Sequence, residues 1–314
     1  SNAAYSGSGD ASFVVEEFTI PTLNAGLPSY QYNSGIMLSS GGFPGPANTS
    51  GSSTVSHGTP GDNDLTATAA AAFPGAGGTN DASVIEFNVN VTDPKIDGLR
   101  ASLVFGSDEY PEYVDSSFVD VAGLYVNGTN YAGFEESGKP LSVVSDNLDS
   151  GVFIDNGDPG SEPYGIEWDG FSREISVRAP LNQGLNSVKI GVADTGDSAL
   201  DSGLFISDLS LTGGGGTGGG ALSVITPDDT GDVIASVAAE EINLNDQKNS
   251  ISGAANDLNG DVIVGFKPSD IVTISQSSFD LTNVDFSSGS VIMDIDTNQD
   301  GDSDTKLTFA GQND

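Results

Sequence analysis

The chain of 314 residues contains no cysteine. Disulfides, thiolate zinc sites and a thiol nucleophile are therefore excluded together. Basic residues are scarce too: nine Lys plus Arg stand against 45 Asp plus Glu, a formal net charge of -36. A chain of that charge repels nucleic acid and anionic membrane surfaces and favours cationic partners. A single His, His57, lies between Ser56 and Gly58 in a polar, glycine-rich segment. A Ser-His-Asp triad thus has one candidate base and no hydrophobic elbow, and a catalytic zinc lacks its imidazoles. No apolar run approaches the ~20 residues that a membrane-spanning helix needs, and long helical patterns are missing throughout.

The acids that are present are mostly short, 33 Asp against 12 Glu. Asp prefers turns and caps to helical faces, so the excess fits either a turn-rich β surface or loops that wrap calcium. Forty-two Gly fit the same turn-rich picture. Strand signals run through residues 12–20, 35–39, 83–91, 99–105, 141–144, 174–177, 188–193 and 204–211. An Asn127-Gly128 hairpin signal lies at 123–132. About nine short strands predict an all-β fold, a β-sandwich of jelly-roll-like type with long loops, the longest at 40–60. One short helix is expected over 66–73, capped by Asp62 or Asp64 and ended by Pro74-Gly75.

The chain divides into four segments. Residues 1–11 read as a vector-derived Ser1-Asn2-Ala3 remnant and an unordered start, 12–212 as the sandwich, and 213–220 as a glycine linker. Residues 221–314 read as a small C-terminal β domain able to fold apart from the sandwich. Gly-Asp-Val-Ile occurs at 231–234 and again at 260–263, a repeat too weak to predict a solenoid.

The densest chemistry lies in FGSDEYPEYVDSSFVDV, residues 105–121, where an apolar strand runs into Asp108, Glu109, Glu112 and Asp115 with no Lys or Arg among them. Crowded carboxylates without a basic partner repel, take up protons or bind a hard cation. This run resembles the signature of the choice-of-anchor L domain. So, in order, do YNSGIMLSSG at 32–41, GTPGDNDL at 58–65, TNDASVIEF at 79–87, DGF at 169–171 and VADTGDSALDSGLF at 192–205. The resemblance implies a secreted or surface-attached bacterial protein, extracellular in location. It also implies similarity to ligand-binding modules of large calcium-dependent adhesins, some of which bind peptides. DVIVGFKPSDIVTIS at 261–275 with DTNQDGDSDTKLTF at 296–309 resembles the end of RTX-type calcium rolls, although the defining glycine-rich nonapeptides are not there.

Candidate Ca²⁺ ligands are Asp108, Glu109 and Asp115 with Asp194, Asp197 and Asp201, which are expected to converge on one ion or a cluster; Asp62, Asp64 and Asp81 are further candidates. A second loop places Asp296, Asn298, Asp300, Asp302 and Asp304 around Gly301; its twelfth position is Leu307, so it is not an EF-hand. Turn and helix capping is the competing role for all of these acids. Tyr110, Tyr113 and Trp168 are candidate ligand-binding aromatics, with sandwich core as the alternative for Trp168. A glycosidase pair drawn from Glu109, Glu112, Glu162 or Glu167 is arithmetically easy in so acidic a chain and therefore uninformative. The expectation is a monomeric, non-enzymatic, calcium-dependent adhesin-type module binding peptide or glycan. A calcium-stapled spacer is second and an acidic hydrolase third.

Overall fold

The computed structural model describes residues 3–25, 27, 29–32, 34–94, 96–134, 137–149, 153–157, 159–212, 220–225, 227, 231–235, 240–245, 247–254, 258, 261–275, 280–285, 291–296 and 305–310. Two antiparallel sheets form a sandwich. In one, neighbouring strands are Ala4–Ser6, Thr79–Val91, Gly184–Thr195, Val121–Val126 and Lys139–Ser142. In the other they are Ser12–Val15, Gly35–Ser39, Ser202–Thr212, Gly98–Ser107 and Ile175–Pro180.

Alternation along the strands decides what each face meets. Leu103 and Phe105, with Leu204 and Ile206, join Leu124, Val188, Ile190 and Val192 of the facing sheet in the main core. Val104 and Phe205 point the opposite way, into a second, aromatic core with Phe18, Tyr32, Tyr164, Trp168 and Phe171. The hairpin Phe18–Ile20/Tyr30–Tyr32 and the segment around Trp168 cover that face. Gly106 and Gly203 lie directly under the indole, where any Cβ would run into the Trp168 ring.

The helix spans Asn63–Ala72, earlier than the pattern predicts, because Asp62 is its N-cap and accepts from Asp64 N (2.9 Å) and Leu65 N (3.1 Å). The expected unordered start is corrected as well. Ala4–Ser6 pairs with Thr79–Val91, and Tyr5 Oη donates to Ser8 O at 2.6 Å and lies 3.1 Å from Ser83 Oγ.

Most of the expected glycine linker lies outside the described residues, but the C-terminal segment is joined to the sandwich. Gly220–Ile225 pairs antiparallel with Ile175–Pro180, extending the second sheet. Parallel to it run Glu240–Asn243, then Val262–Val264, then Thr305–Ala310. Antiparallel Val291–Asp296 and Asp280–Asp285 close this end. A second parallel ladder stacks Asp232–Ile234, Ser250–Gly253 and Ile271–Ile274. The segment is thus a short two-sheet parallel coil around Ile242, Ile251, Ile263, Leu307 and Phe309. The two Gly-Asp-Val-Ile copies fall in opposite ladders, so they do not mark the period of the coil.

A buried ion cluster fastens the coil. The Glu241 carboxylate, fully enclosed, receives Arg100 from the sandwich strand Gly98–Ser107, and Arg178 Nη2 (2.7 Å) and Ser176 Oγ from Ile175–Pro180. Burial acts to raise the Glu241 pKa, yet the Arg100 and Arg178 guanidinium groups hold it below the usual carboxylate value.

Candidate cation-binding site

Strand register gathers the acids at one end of the sandwich. Ser107, the last paired residue of the central strand, stands opposite Ser202 on one side and Gly170 on the other. One step further, Asp108 comes level with Asp201 and with Asp169, and Asp108 N donates to Asp201 O at 3.2 Å. In the facing sheet Ala193 is opposite Val121, so Asp194 comes level with Asp120, and Thr195 N donates to Asp120 Oδ1 at 2.8 Å. Ser202 Oγ bridges the sheets, 2.8 Å from both Asp120 Oδ2 and Ser107 Oγ. Ser107 Oγ in turn accepts from Glu109 N at 3.0 Å.

These carboxylates are deeply buried, Asp108, Glu109 and Asp194 each 1 % exposed and Asp120 0 %. Several oxygens have nothing to accept. Asp108 Oδ1 and Glu109 Oε2 lack a hydrogen-bond donor, and neither Asp194 oxygen has one in hydrogen-bonding geometry, because the neighbouring Ser40 hydroxyl donates to Ser202 O at 3.2 Å instead. Burial pushes the Asp108 carboxyl up to about 10, helped by the charges of Asp169, Asp201 and Glu167 and opposed by the Asp169 amide. Burial pushes Glu109 up to about 9, helped by Asp197, Asp194 and Glu112. For Asp194 burial is again the main cause of a rise to about 8, with Asp201, Asp81 and Asp197 adding and Ser40 working against it. Asp120 is raised well above its ordinary value by burial and by Asp194 and Glu109. Among the described residues no three or more such side chains already stand at the spacing of an ion's shell, so a cation there would have to draw them together.

The other candidates divide. Asp201 sits in the cluster, its carboxylate held by Val55 N (2.9 Å) and Gly42 N (3.3 Å). Asp81 is next to it, but its backbone has φ of 44° and its carboxylate ties down one loop through Ser56 Oγ, His57 N, Thr59 N and Thr59 Oγ1. Burial acts to raise Asp81, and the Thr59 and His57 amides outweigh it, leaving the pKa low. Asp197 is exposed at the rim and accepts from Ala199 N.

Three expected ligands do other work. Asp62 and Asp64 are not cluster members: the Lys189 ammonium sits 2.9 and 2.6 Å from their carboxylates and meets their charge. Asp115 is exposed and caps the short helix Ser145–Asp149 through Ser145 N at 3.0 Å. Asp296 is buried in its strand; Asn298, Asp300, Asp302 and Asp304 lie outside the described residues.

Trp168 is corrected from ligand face to core, 2 % exposed over Gly106 and Gly203. Tyr110 is half-buried, stacked on Phe153 with centroids 6.4 Å apart. Tyr113 is exposed beside Phe118. His57 Nε2 is 2.9 Å from Gly41 O, and Ser56 Oγ donates to Asp81, so no triad is assembled between them. Glu167 is engaged by Thr49 N and Ser50 N rather than facing a partner carboxyl across an open cleft. Sequence reasoning missed Asp120, Asp169 and Asn48. The available signal was position, since Asp120 and Asp169 each stand one residue outside a paired strand.

The family model described as the choice-of-anchor L domain matches residues 1–212. The chain belongs to the choice-of-anchor L family. The matched segment of this choice-of-anchor L protein contains every member of the acid cluster, and the parallel coil lies beyond it. No curated protein matches the chain in sequence. Solved structures that resemble it include TmCBM61 in complex with β-1,4-galactotriose, at 14% identity over 67% of this chain and 88% of that one, with a TM-score of 0.25. A family 35 carbohydrate binding module from Clostridium thermocellum matches at 14% identity over 65% and 98%, with a TM-score of 0.20. Scores at this level carry no argument about ligand.

Proposed function

We propose that the protein is a calcium-dependent ligand-binding module of a secreted or surface-attached bacterial protein, non-enzymatic, with Ca²⁺ held by Glu109, Asp120 and Asp194 between the sheet ends. The observation that supports this most is the set of buried carboxylate oxygens without donors. Uncompensated buried charge is costly, and it is removed by protonation or by a cation. Several buried carboxylates that must replace an ion's water suit Ca²⁺ better than Mg²⁺, which dehydrates reluctantly and demands octahedral geometry. Membership of the choice-of-anchor L family supports the surface setting.

The rim of the cluster carries exposed Glu112, Tyr113 and Asp197. An ion shared between the buried acids and this rim offers a coordination position to a peptide carboxylate or to paired sugar hydroxyls, with Tyr113 alongside. Near-complete burial of Asp120 and Asp194 favours a second reading, a calcium staple in a spacer, because an enclosed ion cannot reach a ligand. Peptide and glycan arrays read in calcium and in chelator separate the two. Binding that needs calcium and disappears in Asp194→Asn supports the module. Calcium uptake with no array hit supports the spacer, and a hit that survives both chelator and Asp194→Asn contradicts the proposed site.

A further inference from the structure

We propose a second, separate cation site on the outer face of the second sheet, formed by Asp108, Asp169 and Asn48, which takes a hard divalent cation of calcium type and fastens the loop carrying Asn48 to the strand ends. It shares with the reading above the idea that a cation neutralises these acids, but it requires its own ion.

Register separates the two groups. Asp108 and Asp169 are cross-strand neighbours one step beyond Ser107 and Gly170, so their side chains leave the same face of the sheet. That face is the one carrying Gly106, Gly203 and the Trp168 ring. Asp120 follows the parity of Ala122 and Leu124 instead, which point into the main core between the sheets. The charges acting on each group agree with this division: Asp169, Asp201 and Glu167 on Asp108, but Asp197, Asp194 and Glu112 on Glu109.

Asn48 is the independent observation. It is 3 % exposed, and its amide orientation is set because Nδ2 donates to Gly157 O at 3.1 Å and to Asp169 Oδ1 at 2.5 Å. Its Oδ1 is left buried with no donor, as is Asp108 Oδ1. Two acceptor oxygens on side chains more than nine-tenths buried, beside a third oxygen-bearing side chain, lack what a cation would supply. The donors are carboxylate and amide oxygens only, the set preferred by calcium over softer metals. Among the described residues no Lys or Arg forms an ion pair with Asp108. The same loop is already tied here through Glu167 N to Gly45 O and Thr49 N to Glu167, so an ion would complete an existing attachment.

The test counts calcium bound to the full chain by native mass spectrometry and calorimetry, in wild type, Asn48→Ala, Asn48→Asp and Asp194→Asn. Asn48→Ala should bind one calcium fewer than wild type and keep the ion that Asp194→Asn loses. Asn48→Asp should retain the full count but lower the melting temperature much more in chelator than in calcium, since the lost Nδ2 bonds to Gly157 O and Asp169 Oδ1 become repulsions that only the ion offsets. If Asn48 only donates hydrogen bonds, Asn48→Asp lowers the melting temperature equally in calcium and in chelator with an unchanged ion count, and the proposal fails. An unchanged count in Asn48→Ala also overturns it while leaving the inner site standing. Loss of an ion in Asn48→Ala but none in Asp194→Asn would uphold this site and remove the inner one.

Discussion

Glu241→Gln is the most informative single change in the junction between sandwich and coil. The carboxylate is wholly buried between Arg100 and Arg178, whose side chains are 15 % and 8 % exposed. Glutamine keeps the shape but removes the negative charge, leaving two guanidinium groups facing each other with little access to water. Breaking a buried ion pair by removing one partner costs about 3–5 kcal/mol, well above the typical loss for a surface pair. The upper part of that range is expected, because one acid here serves two bases and also accepts from Ser176 Oγ. The loss should fall on coil docking: Glu241 lies on the strand beside Gly220–Ile225, which itself pairs with Ile175–Pro180. Urea unfolding followed by tryptophan fluorescence, which reports the sandwich core through Trp168, should be paired with hydrogen exchange of the 240–264 amides. The variant should lose protection in the coil before the indole signal moves. A variant within about 1 kcal/mol of wild type, with unchanged exchange, would refute the idea that this cluster holds the two parts together.

Three further outcomes are expected. Gly106→Ala should destabilise the sandwich by about 3 kcal/mol or more, because the new methyl group meets the Trp168 ring in a closed aromatic core; thermal unfolding measures it. Asp62→Ala should cost about 1–2 kcal/mol in denaturant unfolding, through loss of an N-cap and of one Lys189 contact, with no change in calcium uptake. In chelator, the Asp108, Glu109 and Asp194 carboxyls hold protons up to about pH 10, 9 and 8 that the unfolded chain releases near pH 4. Their stabilisation is full below that lower value and fades as pH rises through the folded values. The melting temperature in chelator should therefore fall from about pH 5 to about pH 8, and a flat or rising profile would contradict the account.

The sandwich was legible because 85–91 alternates, which states both strand and face, and because 99–105 is a fuller apolar run, which suits the central strand that the structure buries on both faces. The parallel coil was not, since strands of three or four residues such as Asp232–Ile234 and Val262–Val264 carry too little alternation to fix a partner. Their pairing is non-local, and Glu241 reads as one more acid until Arg100 and Arg178 are placed around it. The acid cluster was half legible. Local crowding of acids without a basic partner, together with the family resemblance, marked Asp108, Glu109 and Asp194, but membership depends on register, which brings Asp169 and Asp120 alongside and sends Asp62 and Asp64 to Lys189. Trp168 shows the limit most clearly: an aromatic beside acids is a ligand face or a core side chain according to whether glycines make room for it below.

The central claim, that calcium neutralises the buried carboxylates at the sandwich end, is tested most directly by calorimetric melting of the full chain in about 1 mM Ca²⁺, in the same concentration of Mg²⁺, and in chelator. An ion binding only the folded state at a concentration 100-fold above its dissociation constant adds about 2.7 kcal/mol. The account predicts a melting temperature several degrees higher in calcium, with magnesium close to chelator and the gain reduced in Asp194→Asn. Superimposable melting curves in calcium and in chelator at neutral pH would contradict it, and would mean that these acids are kept neutral by protons instead.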